Sequence, residues 1–283
     1  MGYKKLSNEQ EKQLVQDYLN GIPVNVLMEK YGFKTKKSIT DKVKKYYPND
    51  YENIIKTAKI NRKGYNYTLE KITSEFDAYY IGLLMTDGYI SRENDVGLDL
   101  TDEDCISFLS KVIGKEYKIY SQDNHKTRYR LILSDKQLVG NLQRFGIVHR
   151  KSYILDEPKL LPEEEKFIPY IIRGIIDGDG TVSPTSYGGA QFRIVSMSEK
   201  FIDWLIYILE NRLFMIDIHK SQSETGIWVL ETSNQYNILK LISLVYNKPF
   251  GMSRKYKILR KTFRDYNSDP LLEGDCIVHT TTE

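Results

Sequence analysis

Cysteine and histidine are scarce in this chain of 283 residues, which contains two cysteines and four scattered histidines. Cys105 and Cys276 provide neither a disulfide framework nor a Cys/His zinc site, and this usage fits a cytosolic compartment. Long apolar runs are also missing, since residues 78–85 fall far short of the roughly 18 residues that span a bilayer. The first residues lead into a polar segment and not into an apolar signal core. We therefore expect a cytoplasmic protein without a membrane partner.

Positive charge is unevenly distributed, although the formal net charge is only +3. Residues 1–66 hold 14 Lys and Arg against 7 Asp and Glu, a net charge of +7. Residues 67–283 hold 27 against 31, a net charge of −4. A basic segment beside a nearly neutral body is typical of a module that meets a polyanion. A solvated basic arm that improves solubility is the alternative.

The basic segment predicts three short helices. Ser7 fits a capping box, Pro23 fits the first turn of a second helix, and a third helix would begin near Thr35 and end before Pro48. A lysine-rich third helix after a tight turn is similar to a helix-turn-helix DNA-binding domain, which we place at residues 1–50. A plain three-helix bundle that binds a protein is the alternative.

Residues 51–67 are predicted to be a basic linker, which either tracks phosphates between two DNA-bound units or is simply solvated. The residues expected to contact DNA from this half of the chain are Lys36, Lys37, Lys42, Lys44, Lys45, Arg62 and Lys63.

The rest of the chain is an internal repeat. Three pairs of segments match in the same order: 78–90 with 170–182, 98–109 with 194–205, and 150–155 with 254–259. This order indicates a duplication with loop insertions, with repeat 1 at residues 68–160, repeat 2 at 161–268 and a tail at 269–283. Each copy predicts a helix, a hairpin, a helix, two strands and a helix, and this αββαββα order indicates an α+β fold.

The first helix of each repeat carries two small residues four positions apart. These are Gly82 and Thr86 in repeat 1, and Gly174 and Gly178 in repeat 2. Small residues at this spacing let two helix backbones approach closely. If the repeats pair along these residues, the two helices lie side by side and their carboxyl ends meet.

Asp87 and Asp179 follow at those helix ends, each before a glycine that would let the chain turn into a strand. The helix dipoles and the second carboxylate disfavour an ionised Asp, and a divalent cation would relieve this. Oxygen ligands without His or Cys favour Mg²⁺, with Mn²⁺ as a substitute. Carboxylates that hold such ions at a phosphodiester suit hydrolysis. The alternative is that each Asp only caps a buried helix end.

The nine-residue segments 80–88 and 172–180 resemble the two motifs of the LAGLIDADG homing endonuclease family, in its single-chain, two-repeat form. The resemblance covers about residues 68–265. The metal-binding acid of the family motif falls on Asp87 and Asp179, and the resemblance implies metal ligands there and at Gly88 and Gly180.

One position departs from a fully acidic motif. Repeat 1 has Met85 where repeat 2 has Asp177, and the resemblance implies that this position is variable and not catalytic. The family also uses basic residues around the cleavage centre, and the repeat suggests Lys151 and Lys255, which would polarise solvent or stabilise charge on the scissile phosphate. Ordinary phosphate contacts or surface charge are the alternative for these lysines.

The resemblance further implies a pseudo-twofold saddle of antiparallel strands in the DNA major groove. The protein would be a monomer on a long, specific double-stranded target, which it would cut with staggered ends in intron homing. Side chains at period two would read base edges. The candidates are Arg92, Lys118, Tyr120, Gln122, Arg128, Arg130, Gln191 and Arg193, although such strand faces are often only solvated.

The leading hypothesis is therefore a site-specific, Mg²⁺-dependent double-strand DNA endonuclease with an added helix-turn-helix. A non-cleaving transcriptional regulator or an intron RNA maturase on the same scaffold is the main alternative. A nuclease that has lost its activity through subtler changes is a third.

Overall fold

The computed structural model describes residues 6–92, 94–121, 127–185 and 190–262, so the tail predicted at 269–283 lies outside the described residues. The chain divides into two compact units with the main boundary after Tyr67. None of the helices within the described ranges has the length and apolar character that crossing a membrane requires.

The N-terminal unit is built from helices α1 to α4. They span Asn8–Leu19, Val24–Tyr31, Lys36–Tyr46 and Tyr51–Lys63. The predicted capping box is present, because the Ser7 hydroxyl accepts from the backbone N–H of Gln10 and the Gln10 side chain accepts from the backbone N–H of Ser7. Helix α2 ends at Gly32 in the left-handed conformation, and the Thr35 hydroxyl caps α3. Side chains from all four helices share one apolar core, which includes Leu14, Leu27, Ile39, Val43 and Ala58.

Helix α4 occupies most of the segment predicted to be a linker. Ile54 and Ala58 of α4 are buried in the core of the N-terminal unit. The side-chain amide of Asn61 also donates to the carbonyl oxygen of Leu19 at 2.6 Å, which ties α4 to the end of α1. Residues 51–63 are therefore a structural helix of this unit and not a linker, because they supply apolar side chains that the core requires.

The second unit contains two copies of the predicted αββαββα order. The first copy is α5 (Glu75–Thr86), β1 (Gly88–Arg92), β2 (Asp95–Leu100), α6 (Glu103–Ile113), β3 (Lys118–Ser121), β4 (Thr127–Ser134) and α7 (Lys136–Leu142). The second copy is α8 (Ile168–Asp179), β5 (Thr181–Pro184), β6 (Ala190–Ser196), α9 (Glu199–Asn211), β7 (His219–Gln222), β8 (Trp228–Thr232) and α10 (Gln235–Lys240), and α11 (Ser253–Thr262) follows it.

Each copy forms one antiparallel sheet of four strands, in the order β1-β2-β4-β3 and β5-β6-β8-β7. One face of each sheet is apolar, with Leu98 and Leu131 buried in the first sheet and Phe192 and Ile194 in the second. Helix α7 packs on β2, and helices α9 and α10 pack on β6. The other face of each sheet carries the polar side chains. The α+β class is therefore confirmed.

Candidate functional site

Helices α5 and α8 cross at their small residues. A Cβ atom on Gly82 would lie 2.2 Å from the carbonyl oxygen of Ile171 and 2.9 Å from the Cα of Gly174. A Cβ atom on Gly174 would lie 2.2 Å from the carbonyl oxygen of Tyr79. Real Cβ atoms essentially never come this close to other atoms, so only glycine fits at both positions. The two helix backbones are thus in direct contact.

The same contact continues to the carboxyl ends of the two helices. A Cβ atom on Gly178 would lie 1.9 Å from the Thr86 hydroxyl and 3.0 Å from Oδ2 of Asp87. Gly82 faces Gly174 and Thr86 faces Gly178, so the two helices run in the same direction. The structure therefore brings together the ends that carry Asp87 and Asp179.

Gly88 and Gly180 are required for a different reason from the one that the sequence suggested. Neither has the positive φ of a left-handed helix cap. A Cβ atom on Gly88 would lie 2.5 Å from the Cα of Leu84, and one on Gly180 would lie 2.6 Å from the carbonyl oxygen of Ile176. The strands leave the helices by folding closely back over the last turn, which leaves no room for a side chain.

Both candidate carboxyl groups have raised pKa values. Burial, assisted by the negative charge of Asp179, raises the pKa of Asp87 from 3.8 to about 6. Burial also raises the pKa of Asp179. The ammonium groups of Lys151 and Lys255 oppose both shifts without cancelling them. Two adjacent carboxyls that resist ionisation form a site where a cation would be stabilising.

Lys151 and Lys255 lie directly beneath these helix ends. The Lys151 ammonium donates to the carbonyl oxygens of Thr86 at 2.9 Å and Gly88 at 2.6 Å. The Lys255 ammonium contacts four carbonyl oxygens at the end of α8: those of Ile176 (2.7 Å), Asp177 (2.6 Å), Gly178 (3.2 Å) and Gly180 (2.7 Å). Burial lowers the pKa of both lysines.

The main contacts of both lysines are therefore with the carbonyl oxygens at the helix ends. An ammonium group has three N–H donors, and the contacts of Lys255 engage all of them. Each positive charge neutralises the negative end of a helix dipole and orients the residue that carries the carboxylate. The local backbone differs, since Lys151 lies in a short 3₁₀ turn and Lys255 in α11, but the ammonium groups reach equivalent places. The geometry supports a positioning role more directly than a catalytic one.

Each carboxyl faces an open cleft. Asp87 lines a cleft of about 250 Å³ together with Asp99, Asp102, Arg128 and Arg254. Asp179 lines a second cleft of about 370 Å³ together with Thr181, Arg254 and Lys255. Both clefts have room for several water molecules, because one water molecule occupies about 30 Å³ in the liquid.

The residues present suit a hard divalent cation in part. In the part of the chain that the structure describes, no group of three or more His, Cys, Asp or Glu side chains is arranged as a metal site. The carboxylates of Asp87 and Asp179 are the protein donors that fit Mg²⁺, which commonly takes one or two carboxylates and completes its coordination with water and substrate phosphates. The carbonyl oxygens of Gly88 and Gly180, which were predicted to be metal ligands, accept hydrogen bonds from the ammonium groups of Lys151 and Lys255, and their role toward a cation stays a prediction.

The basic residues of the N-terminal unit fall into two groups. Lys42 and Lys45 both form ion pairs with Glu11 of α1, whose side chain is only 6% exposed. These contacts hold the pKa of Glu11 below its usual value. Lys36, Lys37 and Lys44 are exposed on α3, and Arg62 is exposed on α4 with its guanidinium 5.9 Å from the ring of Tyr18. Lys63 is half-buried and lies 5.8 Å from the ring of Tyr65.

The strand candidates lie on the polar faces of the sheets. Gln191 and Arg193 are exposed and alternate with the buried Phe192 and Ile194, as the pattern predicts. Lys118 and Arg128 are also exposed. Ile119, which follows Lys118 on the edge strand β3, is 63% exposed as well. The side chains of Arg92 and Tyr120, and the whole of Gln122, lie outside the described residues.

Two contacts between the repeats were missed by sequence reasoning. The Arg254 guanidinium forms two hydrogen bonds with Asp102, at 3.0 and 3.2 Å, and so joins α11 to repeat 1. The neighbouring backbone N–H of Ser253 donates to Asp104 at 3.0 Å. These pairs hold the helix that carries Lys255 against repeat 1. No local sequence signal connects residues about 150 positions apart.

The contacts of Asp177 are also not apparent from the sequence. It is fully buried, and burial raises its pKa. It accepts hydrogen bonds from the hydroxyls of Tyr79 at 2.8 Å and Tyr246 at 2.6 Å, and from the backbone N–H of Met252 at 3.0 Å. The equivalent Met85 is buried as well. Asp177 thus links α8 to repeat 1 and to the segment before α11.

The chain matches no protein-family model and no curated protein. Among solved structures it is similar to the N-terminal LAGLIDADG domain of DUF199/WhiA, with 13% identity over 63% of this chain and 86% of that chain at a TM-score of 0.44. It is similar to the LAGLIDADG meganuclease I-AabMI bound to uncleaved DNA, with 11% identity, coverage of 68% and 90%, and a TM-score of 0.45. It is also similar to the I-LtrWI LAGLIDADG homing endonuclease bound to target DNA, with 11% identity, coverage of 70% and 93%, and a TM-score of 0.43. These likenesses are too distant to assign a family or an activity, and the function proposed below rests on the residues and distances of this chain.

Proposed function

We propose that the second unit is a site-specific double-strand DNA endonuclease of the LAGLIDADG type that depends on Mg²⁺. The observation that carries this proposal is the pair of Asp87 and Asp179 at the adjoining ends of two parallel helices. The raised pKa values of both carboxyls, which persist although the Lys151 and Lys255 ammonium groups oppose them, favour a bound cation. When bound, Mg²⁺ would neutralise charge on the phosphodiester.

The residues of the chain would prepare this site before any DNA arrives. The glycine contacts of α5 and α8 fix the distance between the two carboxylates. Lys151 and Lys255 hold the last turns of these helices and keep positive charge beneath them. The sheets on either side present Arg128, Arg193 and their neighbours to a duplex.

The direct test is cleavage of a plasmid library with randomised inserts. The full-length protein should linearise a subset of plasmids in Mg²⁺ or Mn²⁺ and none in EDTA. Asp87→Asn and Asp179→Asn should each abolish double-strand cleavage and leave DNA binding within about threefold. Asp156→Asn is a matched control, because Asp156 is an exposed carboxylate in a separate groove of this unit. Retained double-strand cleavage by either site variant would refute the proposal.

We propose further that the N-terminal unit lengthens the target through α3. The exposed Lys36 and Lys37 would contact phosphates, whereas Lys42 and Lys45 are occupied by Glu11. Replacing Lys36 and Lys37 with Gln should weaken DNA binding and lower the salt slope by about two, since each phosphate contact contributes about 0.9. Replacing Lys42 and Lys45 with Gln should change the slope less. Equal slopes for all three proteins would contradict a DNA role for α3.

A non-cleaving DNA-binding regulator is the second candidate, and one observation favours it. The ammonium groups of Lys151 and Lys255, which were expected to act near the scissile phosphate, donate to helix carbonyl oxygens. This candidate predicts that the randomised library is bound sequence-specifically in Mg²⁺ without any linear product.

A further inference from the structure

One cross-strand row on the polar face of the first sheet contains an unusually fixed arginine. Asp99 on β2 is opposite Arg130 on β4, and Arg130 is opposite Lys118 on β3. The alternate residues of these strands, including Leu98 and Leu131, are buried in the core. The row therefore faces away from the core, on the side that the proposed function assigns to DNA.

Arg130 is held by two short hydrogen bonds to one carboxylate. Its Nε donates to Oδ1 of Asp99 at 2.8 Å, and its Nη2 donates to Oδ2 at 2.6 Å. This planar, bidentate arrangement fixes the direction of the guanidinium as well as its distance. The side chain of Arg130 remains 37% exposed, while that of Asp99 is 16% exposed.

Asp99 is itself held from the other side. The hydroxyl of Tyr89 donates to Oδ1 of Asp99 at 3.2 Å. Tyr89 reaches Asp99 because its ring lies over Gly97, its cross-strand partner: a Cβ atom on Gly97 would be 2.3 Å from the ring. Because Gly97 has no side chain, the Tyr89 ring can lie over it and its hydroxyl can reach Asp99.

The net charge of the Asp99–Arg130 pair also distinguishes it from an arginine that only contacts phosphate. The Asp99 carboxylate balances the guanidinium, so the pair adds little to the general attraction for a polyanion. A guanidinium of fixed orientation matches the O6 and N7 acceptors of guanine, which is the commonest specific contact in the major groove. Asp99 also lines the same cleft as Asp87, so the base that Arg130 meets would lie near the cleavage centre.

We propose that Asp99, supported by Tyr89, positions Arg130 to read one guanine of the target beside the candidate cleavage centre. This inference rests on the proposed function, because it requires that a duplex lies on the first sheet. Asp99 and Tyr89 are positioning residues, and Arg130 is the residue that would touch the base. On the second sheet, Nε of Arg193 lies 3.9 Å from a carboxylate oxygen of Glu231, which is longer than a hydrogen bond, so the orientation of Arg193 is less constrained.

The test starts with selection of bound duplexes from a pool of randomised double-stranded DNA by the full-length protein in EDTA. The enriched duplex is then changed at one base pair at a time, and affinity is measured for wild type, Arg130→Lys and Asp99→Asn. We expect wild type to prefer guanine at one position by about 5- to 100-fold. Arg130→Lys keeps the charge but loses the bidentate fork, so this preference should fall to about twofold while affinity for the other bases changes little.

Asp99→Asn should reduce the same preference by about tenfold and leave the other positions unchanged. Tyr89→Phe should reduce it less, and it provides the test if Asp99→Asn does not fold. Arg193→Lys is the matched control and should leave the preference at this position intact. Thermal unfolding of each variant shows whether a loss of preference follows a loss of stability.

The outcomes separate this inference from the proposed function. If wild type enriches a duplex but Arg130→Lys keeps every base preference, or weakens all duplexes equally as a phosphate contact would, the inference is refuted and the nuclease proposal stands. If wild type enriches no duplex and cuts no plasmid, the proposed function fails.

Discussion

Replacing Gly174 with Ala should separate helices α5 and α8. The new methyl group would be 2.2 Å from the carbonyl oxygen of Tyr79, 2.8 Å from the amide nitrogen of Leu83 and 2.9 Å from the Cα of Gly82. Ordinary contacts begin near 3.4 Å, so the carbonyl contact is about 1 Å too short. All three atoms belong to the backbone of α5, so no side chain can turn away to make room.

The expected loss of stability is about 2 kcal/mol. Overpacking of this kind costs about 1–3 kcal/mol, and contact with backbone favours the upper end. The better helix propensity of Ala offsets about 1 kcal/mol. For a body of roughly 200 residues, each 1 kcal/mol shifts Tm by about 2–4 °C, so Tm should fall by about 4–8 °C.

Gly140→Ala is the matched control, because Gly140 is also in a helix and a Cβ atom there meets nothing within 4 Å. It should gain about 0.5–1 kcal/mol from helix propensity alone. Thermal unfolding and urea unfolding of the full chain measure both variants. Equal stability of Gly174→Ala and Gly140→Ala would show that the helix contact is not as close as described.

Three further perturbations test the electrostatics. Because the pKa of Asp87 is about 6 in the native state and near 4 in the unfolded chain, the native state binds this proton more tightly. In metal-free buffer, the free energy of unfolding of wild type relative to Asp87→Asn should therefore rise by about 2 kcal/mol as the pH falls from 7 to 4. Urea titrations measure this difference, and a difference that does not change with pH would contradict the raised pKa. Lys255→Met should lower the free energy of unfolding by about 2–4 kcal/mol, and Lys151→Met by less, since Lys151 contacts fewer carbonyls; the reverse order in denaturant titrations would be inconsistent with the contacts described. Glu11→Gln should lower the Tm of the N-terminal unit, followed by circular dichroism, because its two lysine partners lose their acceptor charge; an unchanged Tm would show that these pairs are not stabilising.

The repeat and the glycine spacing made much of the second unit predictable. Self-comparison gave the element order, because duplicated segments reveal themselves without any knowledge of distant contacts. The four-residue spacing of Gly82 and Thr86, repeated at Gly174 and Gly178, predicted the helix contact because small residues at this spacing serve few other purposes. The alternation of Gln191 and Arg193 with apolar residues likewise matched the burial of β6.

The roles of charged residues were harder to predict from the sequence when their partners are distant in the chain. Lys42 and Lys45 look like DNA contacts on a helical wheel, but Glu11 lies more than 30 positions away and binds both. The same limit applies to Lys151 and Lys255, whose carbonyl partners come from another helix. The partners of Asp99 are also not apparent from its neighbours in sequence, because Tyr89 and Arg130 lie on the two adjacent strands.

The two repeats differ at their shared helix contact in a way that prevents one repeat from replacing the other. Asp177 is accommodated because repeat 1 offers the hydroxyl of Tyr79, whereas the position equivalent to Tyr79 in repeat 2 is Ile171. A symmetric dimer of repeat 2 would thus place each Asp177 against an isoleucine, and one of repeat 1 would leave the tyrosine hydroxyls without a carboxylate acceptor. Neither half is expected to work as a homodimer, so an ancestral two-chain form would have needed a different residue at one of these positions.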